Sequence, residues 1–283
     1  MMRGMFAAIS GLKQHQVMLD VTANDISNVN TIGYKSSRVT FQDSLTQMQR
    51  GAAGPTANNG GSNSAQVGLG VGLGSIDNLM SGGAVQTTGN PLDVAIQGEG
   101  FFQVAPGNPA QGGDPLNPDA YTRAGNFSVN SKGFLTTQTG QFVLGFAQPN
   151  GAQTVAIQVP AGATGLAIDQ SGGLSYIDPN PGPTQGTRVT PYRLTLATFS
   201  NPSGLERSGG NQWKASANSG TKTQNTPGMA GLGVTTAGAI EMSNVDLSQT
   251  FTNMITAQRG FQANSRVIST ADEMLQDLVN LKR

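Results

Sequence analysis

The sequence lacks cysteine, so disulfides, a thiol nucleophile and Cys-ligated metals are all excluded. It has one histidine, His15, too few for a common zinc site, and no partners are in view for a Ser-His-Asp triad. Charge is scarce as well: 11% of residues, about half the usual share. The 16 basic and 16 acidic residues cancel, leaving no basic excess to offset phosphates, so no nucleic-acid partner is expected. No run approaches the roughly 18 apolar residues of a membrane span, and no membrane insertion is expected. The N-terminus lacks the unbroken apolar region of a cleavable signal peptide. Export, if it occurs, is expected to follow a route other than general secretion, and the absence of cysteine suits export without oxidative folding.

The two ends of the chain carry heptad patterns. Met5, Ile9, Leu12, Gln16, Leu19, Ala23 and Ile26 recur at steps of four and three. Leu247, Phe251, Met254, Gln258, Phe261, Ser265, Ile268, Asp272, Leu275 and Val279 do the same, with Ile255 and Leu278 widening the stripe. The spacing predicts two long helices pairing as a coiled coil, the second on the order of 55 Å long. Ser243 or Asn244 is the expected N-cap of that helix, and Lys282 and Arg283 suit the negative end of its dipole. Polar seam members such as Gln16 and Asp272 imply further helix neighbours.

Between the ends the period changes to two. "VAIQGEGFFQV" places Val94 and Ile96 before Phe101 and Phe102, and "TVAIQV" aligns Val155, Ile157 and Val159. A hairpin is expected around Gly172 and Gly173, and Tyr192, Leu194 and Leu196 alternate with Arg193, Thr195 and Ala197. With 39 Gly and 14 Pro as punctuation, this is an antiparallel β domain. The fold class is α+β. Residues 1–30 and 243–283 are expected to form a terminal coiled-coil domain, 31–84 an extended connector and 85–242 the β-rich domain. The connector includes a low-complexity stretch from 51 to 75.

No catalytic or cofactor chemistry is expected. The glycine run 68–74 lacks the Lys-Ser/Thr and the following helix of a phosphate cradle. Asp93, Glu99, Asp114, Asp119 and Asp169 fall near turns, where aspartate bends chains. Trp213 reads as an anchor of the β domain, and one Trp with four Tyr supplies little for a glycan platform.

"NDISNVNTIGYK", residues 24–35, resembles the signature of bacterial flagellar rod and hook proteins. "NPLDVAIQGEGFFQV" with "YTRAGNFSVNSKGFL" is similar to that family's shared β domain, and "MSNVDLSQTFTNMITAQRGFQANSRVISTADEMLQDLVNLKR" to its C-terminal helix. The likeness implies a short hook protein, a curved tubular universal joint, with the distal rod as the alternative. It implies that Met5, Ile9, Leu12, Leu19, Ile26, Leu247, Phe251, Met254, Phe261, Ile268 and Leu275 form a polymerisation seam. Asn24 and Asn28 would bond across a subunit boundary; Asn30, Thr31, Gly33, Tyr34 and Lys35 complete the signature, with Gly33 in the left-handed conformation. Implied partners are further copies of the chain in a helical homopolymer, the flagellar rod, hook cap and hook–filament junction proteins, and the flagellar export apparatus. "FQDSL", Phe41 to Leu45, has the form of an export recognition segment. The implied location is the flagellum, outside the cell.

Overall fold

The computed structural model describes residues 2–56, 60–106, 120–148, 154–179 and 185–281. They form two compact units: Met1–Ser27, Ser37–Asn78 and Asp246–Arg283 in one, Asn28–Ser36 and Leu79–Val245 in the other. The stretch 31–84 is thus divided between the units, its central part folding with the helices and both its flanks with the β unit.

In the first unit, helix α1 spans Met2–Ser27 and helix α2 spans Leu247–Asn280. Between them run strands β1 (Ser37–Asp43), β2 (Thr46–Arg50), β3 (Ala65–Gly68) and β4 (Val71–Asn78). β1 pairs with β4 and β2 with β3, both antiparallel, and the glycine run 68–74 lies from the end of β3 to the middle of β4. α1 packs against α2, β1 and β4.

The face that α1 buries is offset by one residue from its apolar stripe. Ala8, Gly11, Thr22 and Asp25 are buried, whereas Ile9 is 37% exposed. Small residues explain the offset, because they let helix backbones approach closely. A Cβ on Gly11 would lie 2.6 Å from the Asn264 amide nitrogen, and one on Gly260 would lie 2.5 Å from the His15 ring. In α2, Ala257 and Ala271 are buried and Met254, Phe261, Ile268 and Leu275 half-buried.

The N-cap of α2 is Asp246, whose side chain accepts from the Ser248 and Gln249 amides at 2.8 and 3.2 Å. Ser243 and Asn244 do not fill that role. An aspartate adjacent to the first turn reaches the N2 and N3 amides, whereas Asn244 is engaged elsewhere. Lys282 and Arg283 lie outside the described residues.

In the β unit a 13-stranded antiparallel sheet is found among the described residues, with two further two-stranded pairs. The strand Phe101–Ala105 lies centrally, flanked by Ala120–Thr122, Phe142–Ala147 and Leu196–Phe199. Successive strand residues point to opposite faces, and the adjacent Phe101 and Phe102 accordingly serve two cores. Phe102 joins Val94, Ile96, Val104, Leu194 and Leu196 in the larger cluster and meets Phe127 edge-on at 5.0 Å. Phe101 joins Tyr121, Phe199, Leu205 and Trp213 in the second. Each ring buried this way contributes about 1.5–3 kcal/mol. The hairpin at Gly172 and Gly173 joins Thr164–Ile168 to Gly173–Ile177.

Candidate functional site

The signature segment does not continue the helix. α1 ends at Ser27, and Asn28 begins a turn in which its side-chain oxygen accepts from the Thr31 hydroxyl at 3.0 Å. Asn24 is exposed on α1. Asn30 and Thr31 line a recess of about 310 Å³ with Thr122, Asn126, Thr139 and Gln212, all uncharged.

Gly33 has φ +68°, and its amide donates to the Glu241 carbonyl at 2.8 Å. A Cβ there would lie 2.6 Å from the Ala124 nitrogen, so a side chain is excluded by backbone strain and by contact. Beyond it Tyr34 is buried, and the Arg207 guanidinium lies 4.8 Å from its ring centre and 5.1 Å from that of Trp213. An Arg207 N–H also donates to the Lys35 carbonyl.

Lys35 is wholly buried. Its ammonium donates to Glu241 Oε1 at 2.5 Å and to the Ser81 carbonyl at 2.8 Å. Glu241 Oε1 also accepts from the Gly83 amide at 2.9 Å, and Oε2 from Arg123 at 3.2 Å. Arg123 in turn lies 5.2 Å from the Phe101 ring centre. Desolvation pushes the Lys35 ammonium below the ordinary lysine range; Glu241 opposes that shift and Arg123 adds to it. One carboxylate thus holds two buried cations, and the cluster joins residues 35, 81, 83, 123 and 241.

Sequence reasoning reached Lys35 but missed Glu241, Arg123, Arg207 and Asn244 as its neighbours. The available signal was a charge set in apolar company: Glu241 stands between Ile240 and Met242, and buried charges need partners. In the helical unit it also missed Asp25, which is buried and accepts the Ser37 amide at 3.2 Å on each oxygen.

The seam residues of α1 are half-buried at Met5, Leu12, Leu19 and Ile26. On α2, Leu247 and Phe251 are 41% and 49% exposed. Phe41 on β1 is 40% exposed and meets His15 edge-on at 5.9 Å, while Leu45 is 78% exposed. Trp213 is buried, and Asp93 and Asp169 accept hydrogen bonds within their own turns. Glu99 is exposed, and its carbonyl accepts the Gly233 amide at 2.8 Å. Asp114 and Asp119 lie outside the described residues. Among the described residues no cluster of His, Asp and Glu could hold a metal ion, and no helix is long and apolar enough to cross a membrane.

Residues 5–35 match the family described as flagella basal body rod protein. Residues 95–176 match the flagellar hook protein FlgE/F/G D1 domain, and 236–281 the flagellar basal body rod FlgEFG protein C-terminal family. The chain is 44% identical over 284 residues to the flagellar basal-body rod protein FlgG of Bacillus subtilis, covering 100% of both chains. It is 37% identical to FlgG of Caulobacter vibrioides, covering 99% of this chain and 100% of that one. Against the flagellar hook protein FlgE of Borreliella burgdorferi it is 28% identical over 442 residues, with 100% of both chains covered. Signature, β domain and C-terminal helix all match one group, and the chain belongs to the flagellar rod and hook protein family.

Proposed function

We propose that this chain is the structural subunit of the distal rod, polymerising through α1 and α2 into a straight tube that carries torque to the hook. The apolar surface left on the two helices carries this reading. Met2, Phe6, Phe251, Ile255, Val267, Met274 and Leu278 are 61%, 62%, 49%, 51%, 47%, 50% and 51% exposed. A helix apolar on more than one side needs more than one helical neighbour. In a tube, those neighbours are other copies of the chain, with α1 and α2 arranged as a coiled coil.

The curved-hook reading gives way to the rod for a specific reason. Likeness to rod proteins reaches 37% and 44% over nearly matched lengths. A 442-residue alignment to the hook protein, by contrast, is met by 283 residues only with long gaps. The partners that follow are adjoining rod proteins, the hook above them and the flagellar export apparatus.

Electron microscopy of assembled full-length protein tests this reading. Straight tubes are expected. Curved tubes would return the protein to the hook, and a chain that stays monomeric at high concentration would remove the polymer altogether.

A further inference from the structure

The chain passes between its two units four times, at 27/28, 36/37, 78/79 and 245/246. Three of these crossings leave the β unit from one hydrogen-bonded point. Asn244 Oδ1 accepts from the Ser36 amide at 2.7 Å. Its Nδ2 donates to the Leu79 carbonyl at 2.8 Å and to the Ser81 carbonyl and hydroxyl at 3.2 and 3.1 Å. The backbone closes the knot: the Leu79 amide donates to the Ser36 carbonyl at 2.8 Å, and the Asn244 amide to Tyr34 at 3.4 Å. Ser36, Leu79 and Val245 are the β-unit residues that adjoin their respective crossings.

The chemistry requires a primary amide here. One planar group supplies an acceptor for Ser36 and two donors for Leu79 and Ser81. Aspartate keeps the acceptor but loses both donors and sets a carboxylate against carbonyl oxygens. Alanine loses everything. The ion cluster supports the same place from beneath, because Lys35 also donates to Ser81 and Glu241 also accepts from Gly83.

We infer that Asn244 is a positioning residue that fixes three connecting segments at a common root, and that this root sets the stiffness of the assembled tube. A strand resists bending at its origin only when the φ and ψ of its first residues are held. Each residue released from the knot adds two soft dihedrals per subunit. The stiffness claim rests on the rod reading above; the claim about the root does not.

The test compares full-length wild type, Asn244→Asp and Asn244→Ala with Ser216→Ala. Ser216 makes loop hydrogen bonds elsewhere in the β unit, to Gly204 and from Asn218, and controls for general loss of stability. In the unassembled chain, hydrogen exchange at the Leu79 amide should rise about tenfold in both Asn244 variants, and at the Ser36 amide in Asn244→Ala, but at neither in Ser216→Ala. By electron microscopy, tubes of the Asn244 variants should bend more widely than wild type, with Ser216→Ala tubes as straight as wild type. Loss of tubes in the Asn244 variants alone also supports the inference, since root geometry then decides assembly itself. Unchanged exchange overturns the root, and faster exchange with equally straight tubes overturns its mechanical role. If alanine prevents folding, aspartate alone decides. Wild type that forms no tubes would instead count against the rod reading.

Discussion

Lys35 and Glu241 are 206 residues apart in sequence and meet at 2.5 Å with side chains 0% and 1% exposed. Two segments near the first and last residues of the β unit are thereby held by one carboxylate, which Arg123 shares. The arrangement carries one more positive than negative charge, so the carboxylate is the indispensable member.

Glu241→Gln leaves two buried cations facing a neutral amide. Breaking a buried ion pair from one side costs about 3–5 kcal/mol, and this variant breaks two. Lys35→Met should cost less, because Glu241 keeps Arg123 and the Gly83 amide. Urea unfolding followed by the fluorescence of the buried Trp213 measures both. A Glu241→Gln loss no larger than that of Lys35→Met would show that the cluster is not organised around the carboxylate.

The Lys35 shift has a defined sign in pH. Its folded-state value lies below the ordinary 10.5, chiefly through desolvation. Between that value and 10.5 the unfolded chain binds more protons than the native one, so stability from this group rises with pH. Below the window the cost of burying the charge is present in full. The difference in unfolding free energy between wild type and Lys35→Met should therefore shift towards wild type as pH climbs to 10.5. A difference that stays flat, or moves the other way, would show that the ammonium is not strained by burial.

Much of this fold was legible because periodicity reports which side of an element meets apolar neighbours. Val94, Ile96, Phe102 and Leu194 announced a β core and occupy it. The helices were legible in extent but not in orientation. Their apolar stripe is partly exposed, while Ala8, Gly11 and Ala257 are buried, Gly11 against Asn264. Small residues carry no hydrophobic signal, so pattern reading passes over them. The ion cluster was illegible for a different reason. Its members are set by strand register across more than a hundred residues, which no local spacing encodes. Asn244 misled as a helix cap because a cap and a bridge use the same amide chemistry.

Gly260→Ala separates close packing from intrinsic helix preference. Alanine favours a helix interior over glycine by about 1 kcal/mol, so on an uncrowded face the change stabilises. Here the new methyl would lie 2.5 Å from the His15 ring. The expected result is a lower melting temperature of the helical signal in circular dichroism, restored by adding His15→Ala. A higher melting temperature for the single variant would mean that α1 and α2 do not approach this closely.

Phe41→Ala tests export recognition at the half-exposed edge of β1. Secreted protein should fall while the cellular level holds, because a side chain 40% open to solvent adds little to the folded unit. If secretion is unchanged, the phenylalanine serves only its edge contact with His15.

Phe261 tests the division of labour between helices and β unit. It is half-buried on α2 and belongs to none of the three β-unit cores. Truncation to alanine removes an apolar contact of roughly 1.5–3 kcal/mol in the helical unit. In a polymer every copy loses the same contact, so tube formation should fail or stop short. The unfolding transition reported by Trp213 should meanwhile stay where it is in wild type, because that side chain sits among Phe101, Tyr121 and Phe199. Sedimentation of assembled material and Trp fluorescence on one preparation measure both. Normal tubes would remove Phe261 from the polymerising seam. A large shift of the Trp213 transition would show that the β unit depends on α2 for its own stability, and that the two units do not fold as separate bodies.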